Sequence, residues 1–198
     1  MGAVSAVNDN RNQAVRDILV FALLVSIGVV GRWAQPEWCF TPTAAVAIFA
    51  GSYFARLGIA ALVPLAILGI SDIALESHDS FGVMLATYAV MTVPVLFGRW
   101  LRTSEGRANT VLRLAICGLV PATLFWLVSN FAVWAFQSDY EKSWAGLMHC
   151  YWMAVPFFRW MVAGDIFYLT VLFSCAALSG MPLVRFDRRL EPAPVSRQ

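Results

Sequence analysis

Four polar side chains stand inside long apolar runs of this chain: Asp72, Asn130, Arg159 and Asp165. Such groups cost free energy in a hydrocarbon environment, so each is a functional candidate until a structural role accounts for it. Their depths can be compared at a rise of about 1.5 Å per residue. Asp72 falls roughly 22 Å up the third apolar run and Asn130 roughly 29 Å up the fifth. Asp165 falls about 12 Å below the start of the last run, with Arg159 nearer that surface. Two carboxylates, an amide and a guanidinium therefore lie at similar depth. A mostly apolar pocket with a few directing polar groups is the usual chemistry of a small-molecule site. Trp134 or Trp152 can stack on such a molecule, and a segment carrying His149 can cover it.

Each residue also has a structural reading. Asp72 follows Ser71 near a helix end and can anchor the loop beyond it. Asn130 can hold two helices together through its amide. Asp165 and Arg159 can neutralise one another, although six positions apart they face different sides of a straight helix. His149 can be a hydrogen-bonded structural histidine. Most of the eight tryptophans fit an aromatic belt at the membrane surface.

Other chemistries are poorly represented. There is no nucleophile elbow, H-E-x-x-H, P-loop or dinucleotide fingerprint. The four cysteines form no C-x-x-C pair, and only Cys150 has a histidine beside it. Cys39 and Cys150 fall near the same predicted surface, within reach of pairing, while Cys117 and Cys175 read as small core residues. The expectation is a protein that is not an enzyme and takes no metal or cofactor. Basic residues are scattered at segment ends with no basic and aromatic face, which argues against nucleic acid as a partner.

The elements that must position these residues are membrane helices. Of 198 residues, 60% are hydrophobic and 13% charged, and the mean hydropathy of +0.69 is that of a chain whose main solvent is lipid. The pattern predicts an all-α integral membrane bundle of six transmembrane helices over 17–180. A polar segment, 1–16, precedes it and a flexible Pro- and Arg-rich tail, 181–198, follows. The first run, Ile18 to Val30, closes on Gly31-Arg32-Trp33 with no small-x-small cleavage site, so it reads as an uncleaved span. The later runs read as Thr43 to Phe54, a third ending near Leu75, Val83 to Leu101, and Thr110 to Phe136. Trp144 to Leu178 is apolar for 35 residues, too long for one span and too short for two. Pro156 divides it, which predicts a short half-inserted helix over 144–155 and a final span over 157–179. Small residues in the second run, Ala44, Ala47, Gly51 and Ala55, suit either internal packing or docking of another membrane protein.

Charge placement predicts the orientation. With six spans and a cytoplasmic N-terminus, Arg11, Arg16, Arg56, Arg99, Arg102, Arg107, Arg113, Arg185, Arg188, Arg189 and Arg197 lie inside. Arg32 and Lys142 lie outside, a ratio of eleven to two in keeping with the positive-inside rule. Both termini are then cytoplasmic, in a membrane of bacterial inner-membrane type.

Three segments carry a resemblance: Phe40 to Phe54, Ser129 to Trp134, and Ala154 to Arg159 continuing to Gly164-Asp165. Together they resemble an uncharacterised family of small bacterial multi-spanning membrane proteins, over most of residues 38–175. That family is similar in layout to the substrate-binding S components of energy-coupling factor transporters, with six spans, a Gly-rich passage between the second and third, and a long connection before the last. The likeness implies capture of a vitamin-like or other micronutrient from the outer side, energised by a transmembrane coupling subunit and ATPases. The first span departs from that pattern, offering Ala22 and Ser26 in place of two alanines four apart. A non-catalytic structural or accessory subunit of a larger membrane assembly is the alternative. The ligand-site residues expected on the transport reading are Asp72, Asn130, Trp134, His149, Trp152, Arg159 and Asp165.

Overall fold

A computed structural model describes residues 2–35, 39–75, 80–103 and 107–180, with side chains from residue 11 onward except at 107 and 108. The expected tail, 181–198, lies outside the described residues. Among them every regular element is a helix: α1 Gly2–Trp33, α2 Thr43–Tyr53, α3 Leu57–Ser71, α4 Phe81–Thr92, α5 Pro94–Arg102, α6 Arg107–Phe136 and α7 Trp144–Leu178. The polar N-terminal segment is thus helical from Gly2 and continuous with the first apolar run.

Four stretches are long and apolar enough to cross a membrane: Arg11–Trp33, Phe81–Arg102, Asn109–Phe136 and Trp144–Leu178. These mark the chain as a membrane protein. Phe81–Arg102 comprises α4 and α5, which remain one rod across Pro94. Val93 keeps helical dihedrals there. Its amide donates to the Val90 carbonyl at 3.1 Å and its carbonyl accepts from Leu96 at 2.9 Å, so tight i to i+3 bonds carry the ladder past the missing proline donor.

The count of six membrane-long spans is not met, because α2 and α3 are short. Their 11 and 15 residues rise about 16 and 22 Å, against a hydrocarbon core of about 30 Å. Composition misled the reading of α2, because protein rather than lipid surrounds it. Every residue of α2 except Tyr53 is buried. A helix that is apolar all round is buried, here in the protein core, and α2 alone does not bridge the hydrocarbon.

The half-inserted helix over 144–155 is also corrected: α7 is unbroken for 35 residues through Pro156. Pro156 withdraws the amide that would otherwise meet the Trp152 carbonyl, and α6 binds α7 on either side of that position. Here Trp126 of α6 donates its indole N–H to the Ala154 carbonyl at 3.1 Å, and the Tyr151 hydroxyl donates to the Leu127 carbonyl at 2.8 Å. At about 52 Å, α7 exceeds the hydrocarbon thickness and must tilt or project.

Packing is closest where α2 crosses α5. A Cβ on Gly51 would lie 2.0 Å from the Val95 carbonyl oxygen, and one on Gly98 would lie 2.0 Å from that of Ile48. The two backbones touch because neither helix carries a side chain at the crossing. Ala44, Ala47 and Gly51 are therefore occupied inside the bundle, which selects internal packing for that small-residue stripe. At this end Arg102 donates to the Phe54 carbonyl at the C-terminus of α2, 3.2 Å away, a favourable place for a cation. The Tyr53 hydroxyl donates to Asp17 Oδ1 on α1 at 3.1 Å.

Candidate functional site

The opposite end of the bundle is built around a different problem. α1 and α3 finish side by side there: the Trp33 indole donates to the Ser71 carbonyl at 3.3 Å, and Arg32 Nη2 donates to Asp72 Oδ1 at 2.7 Å. Both charged side chains are mostly buried. The Tyr88 hydroxyl of α4 donates to Asp72 Oδ2 at 3.0 Å, so one carboxylate ties three helices together. Asp72 is also the C-terminal cap residue of α3, as the loop-anchor reading expects.

From Trp33 the chain turns back toward α2. Cys39 makes the turn with a left-handed backbone, φ 69°, a region non-glycine residues seldom enter. The returning strand of chain is held on α7. Phe40 packs against the rings of Phe167 and Tyr168, with centroids 5.9 and 5.5 Å apart. Gly164 allows the approach, since a Cβ there would meet the Phe40 Cα and Thr41 amide nitrogen at 3.3 Å. Asp165, the next residue, is consequently fixed close to the entry into α2.

Because α2 begins only at Thr43, it does not fill the space beneath this turn. A cavity of about 440 Å³ remains, within the range typical of small-molecule sites. Ala44 at the start of α2 contributes to it, as do Val83, Thr87, Val90 and Met91 of α4 and Pro94 of α5. Pro121, Ala122 and Phe125 of α6 and Met161 and Asp165 of α7 line the rest, with Arg32, Gln35, Cys39 and Thr41 from the turn and Leu75 from beyond α3. Most of these groups are apolar.

Two buried polar atoms at this cavity lack hydrogen-bond partners among the described residues. Asp165 is 3% exposed, and its Oδ2 has no hydrogen-bond partner among the described residues. Arg32 Nε is likewise buried without one. An unmade bond to a buried polar group costs about 1–3 kcal/mol, more if the group is charged. Cys39 also faces this space.

Of the residues expected to share one site, the structure brings Asp165 to the cavity and Asp72 to its edge through Arg32. It does not bring the other five there. The Asn130 amide donates to the Trp126 carbonyl of its own helix at 2.7 Å, and the Asn130 carbonyl accepts from the Cys150 thiol at 3.4 Å. Trp134 donates to the Glu141 carbonyl at 2.9 Å in the α6–α7 connection, where Lys142 donates to the carbonyls of Trp134 and Gln137. His149 is exposed and lies edge-on to the Tyr140 ring, with centroids 5.7 Å apart. Trp152 is exposed, and Arg159 is exposed with its guanidinium over the Trp160 ring at 5.4 Å. Cys39 and Cys150 are both free thiols.

Matching by depth failed because it ignored rotation about the helix axis. At about 100° per residue, Asn130 points roughly 130° away from the face that Pro121, Ala122 and Phe125 turn to the cavity. Arg159 points about 120° from Asp165 by the same count. Arg32 was missed for the converse reason. It was read as an outer-surface charge, although its position one residue before Trp33, at the end of an apolar run, is equally that of a residue folded under the loop.

No curated protein and no solved structure matches this chain. A family model does, described as a family of unknown function, DUF6580, and it spans residues 12–186. Since this covers nearly all of the bundle described above, the chain belongs to the DUF6580 family.

Proposed function

We propose that this protein is a transport component of the bacterial inner membrane that captures a small organic molecule, vitamin-like or another micronutrient, from the outer side. The observation that carries this reading is the cavity at the Arg32 end, with the buried Asp165 carboxyl, whose Oδ2 has no hydrogen-bond partner among the described residues, in its mostly apolar wall. The proposed topology has six passes, α2 and α3 being two short ones, with Cys39 to Pro42 leading into α2. Arg16, Arg56, Arg99, Arg102 and Arg113 stand at or near the end opposite the cavity, and the positive-inside rule makes that end cytoplasmic, as are both termini. Energy comes from partner subunits, a transmembrane coupling protein and ATPases, since the sequence has no P-loop. This follows the likeness in layout to energy-coupling factor S components.

The alternative, a structural or accessory subunit, is favoured by one observation: Asn130 satisfies its amide on its own helix, as a residue serving only the bundle would. The two readings part in one experiment. Protein purified from native membranes in lipid nanodiscs is extracted and its small molecules identified by mass spectrometry. Capture predicts a small organic molecule near one per chain, lost when Met161→Trp fills the cavity. An identical extract from wild type and Met161→Trp overturns the capture reading.

A further inference from the structure

Three ionisable side chains meet at or beside the cavity, and their arithmetic gives the chemistry of its occupant. Arg32 and Asp72 offset one another through a 2.7 Å contact, with the Tyr88 hydroxyl completing the carboxylate's shell. Asp165 has no such counterpart among the described residues, and its free Oδ2 is fully buried. With these groups ionised, the site carries one negative charge in excess. The N-terminus of α2, which has no side-chain cap, adds a partial positive charge of about one half at the floor. That leaves the balance negative. In a water-poor site of low dielectric an uncompensated charge is expensive, and a ligand cation is the direct way to offset it.

We infer, resting on the capture reading above, that the ligand is an organic cation: an apolar body carrying a protonated amine that donates to the Asp165 carboxylate. An anionic ligand is disfavoured because the Arg32 charge is already offset by Asp72 and an anion would face Asp165 across the same cavity. Val83, Val90, Met91, Phe125 and Met161 supply apolar walls for the body of the molecule.

The test uses three compounds with one ring system and different charge: tryptamine, tryptophol and indole-3-propionate. Binding of each to the full chain in nanodiscs is measured by calorimetry, with thermal stability recorded alongside. Tryptamine is expected to bind about tenfold or more tightly than either of the others, as one additional charge-assisted bond implies. Asp165→Asn should abolish that preference while leaving the weak binding of tryptophol. The wild-type ranking is decisive even if the variant does not fold. Equal binding of all three, or tightest binding of the propionate, overturns the cation assignment and leaves the capture cavity standing. Binding of none of them overturns both.

Discussion

The two ends of this bundle solve opposite problems with the same helices. Where α2 crosses α5, glycines bring backbone against backbone, and Arg102 and Tyr53 nearby both find partners. At the other end α2 stops short, a cavity of about 440 Å³ is left open, and a carboxyl is buried with an oxygen unpaired. Close packing and full hydrogen bonding serve stability, and their joint absence at one place is the kind of local departure that marks a functional site. The comparison teaches that α2 is a plug: its C-terminal half seals the bundle, and its N-terminal end sets the floor of the cavity.

The strongest way to break this contrast is to separate α2 from α5. Gly98→Leu forces side-chain atoms into the Ile48 carbonyl, and α2 lies between the crossing and the cavity. A loss of about 3 kcal/mol or more is expected, with ligand binding lost together with the fold. Thermal unfolding in detergent checks it, and a variant as stable as wild type would show that the crossing is loose.

Breaking the Arg32–Asp72 pair should cost about 3 kcal/mol in Arg32→Ala, since it strands a mostly buried carboxylate. The double variant Arg32→Met with Asp72→Leu should recover much of that loss. A double variant no better than the single one would mean that the charges do more than neutralise each other.

Asp165 sharpens the comparison with the opposite sign. Because its Oδ2 has no partner to lose, Asp165→Leu should leave stability unchanged or raise it by about 1–2 kcal/mol while ligand binding disappears. A large fall in melting temperature for this variant would make Asp165 a structural residue. Asn130→Ala should cost about 1 kcal/mol, the value of one hydrogen bond, with binding per folded molecule unchanged. The smallest effect belongs to Trp152→Ala, where an exposed side chain is removed and a change within about 0.5 kcal/mol is expected.

Much of the fold was legible because the hydrophobic pattern is strong. The polar joints at Gln35 to Thr41, Arg56, Ser80, Thr103 and Gln137 to Ser143 all fall between helices as read from the chain. Two elements resisted. α7 looked divisible at Pro156 because a proline in an isolated helix removes a bond and clashes, and no sequence signal announces that Trp126 and Tyr151 will bind α7 to α6 beside it. α2 looked like a span because burial in protein and burial in lipid select the same residues.

The sequence by itself determined the solvent, the helical class, the positions of the turns and the asymmetry of charge, since each follows from composition and order along the chain. It also singled out Asp165 as an anomaly. Tertiary structure alone decided which anomalies matter. Whether a buried polar group is satisfied depends on what other helices place opposite it, and two residues at equal depth can face opposite ways. Asn130 turned to its own backbone, Asp72 found Arg32 and Tyr88, and Asp165 was left facing a cavity, a distinction that lies in rotation and contact and so in no single stretch of sequence.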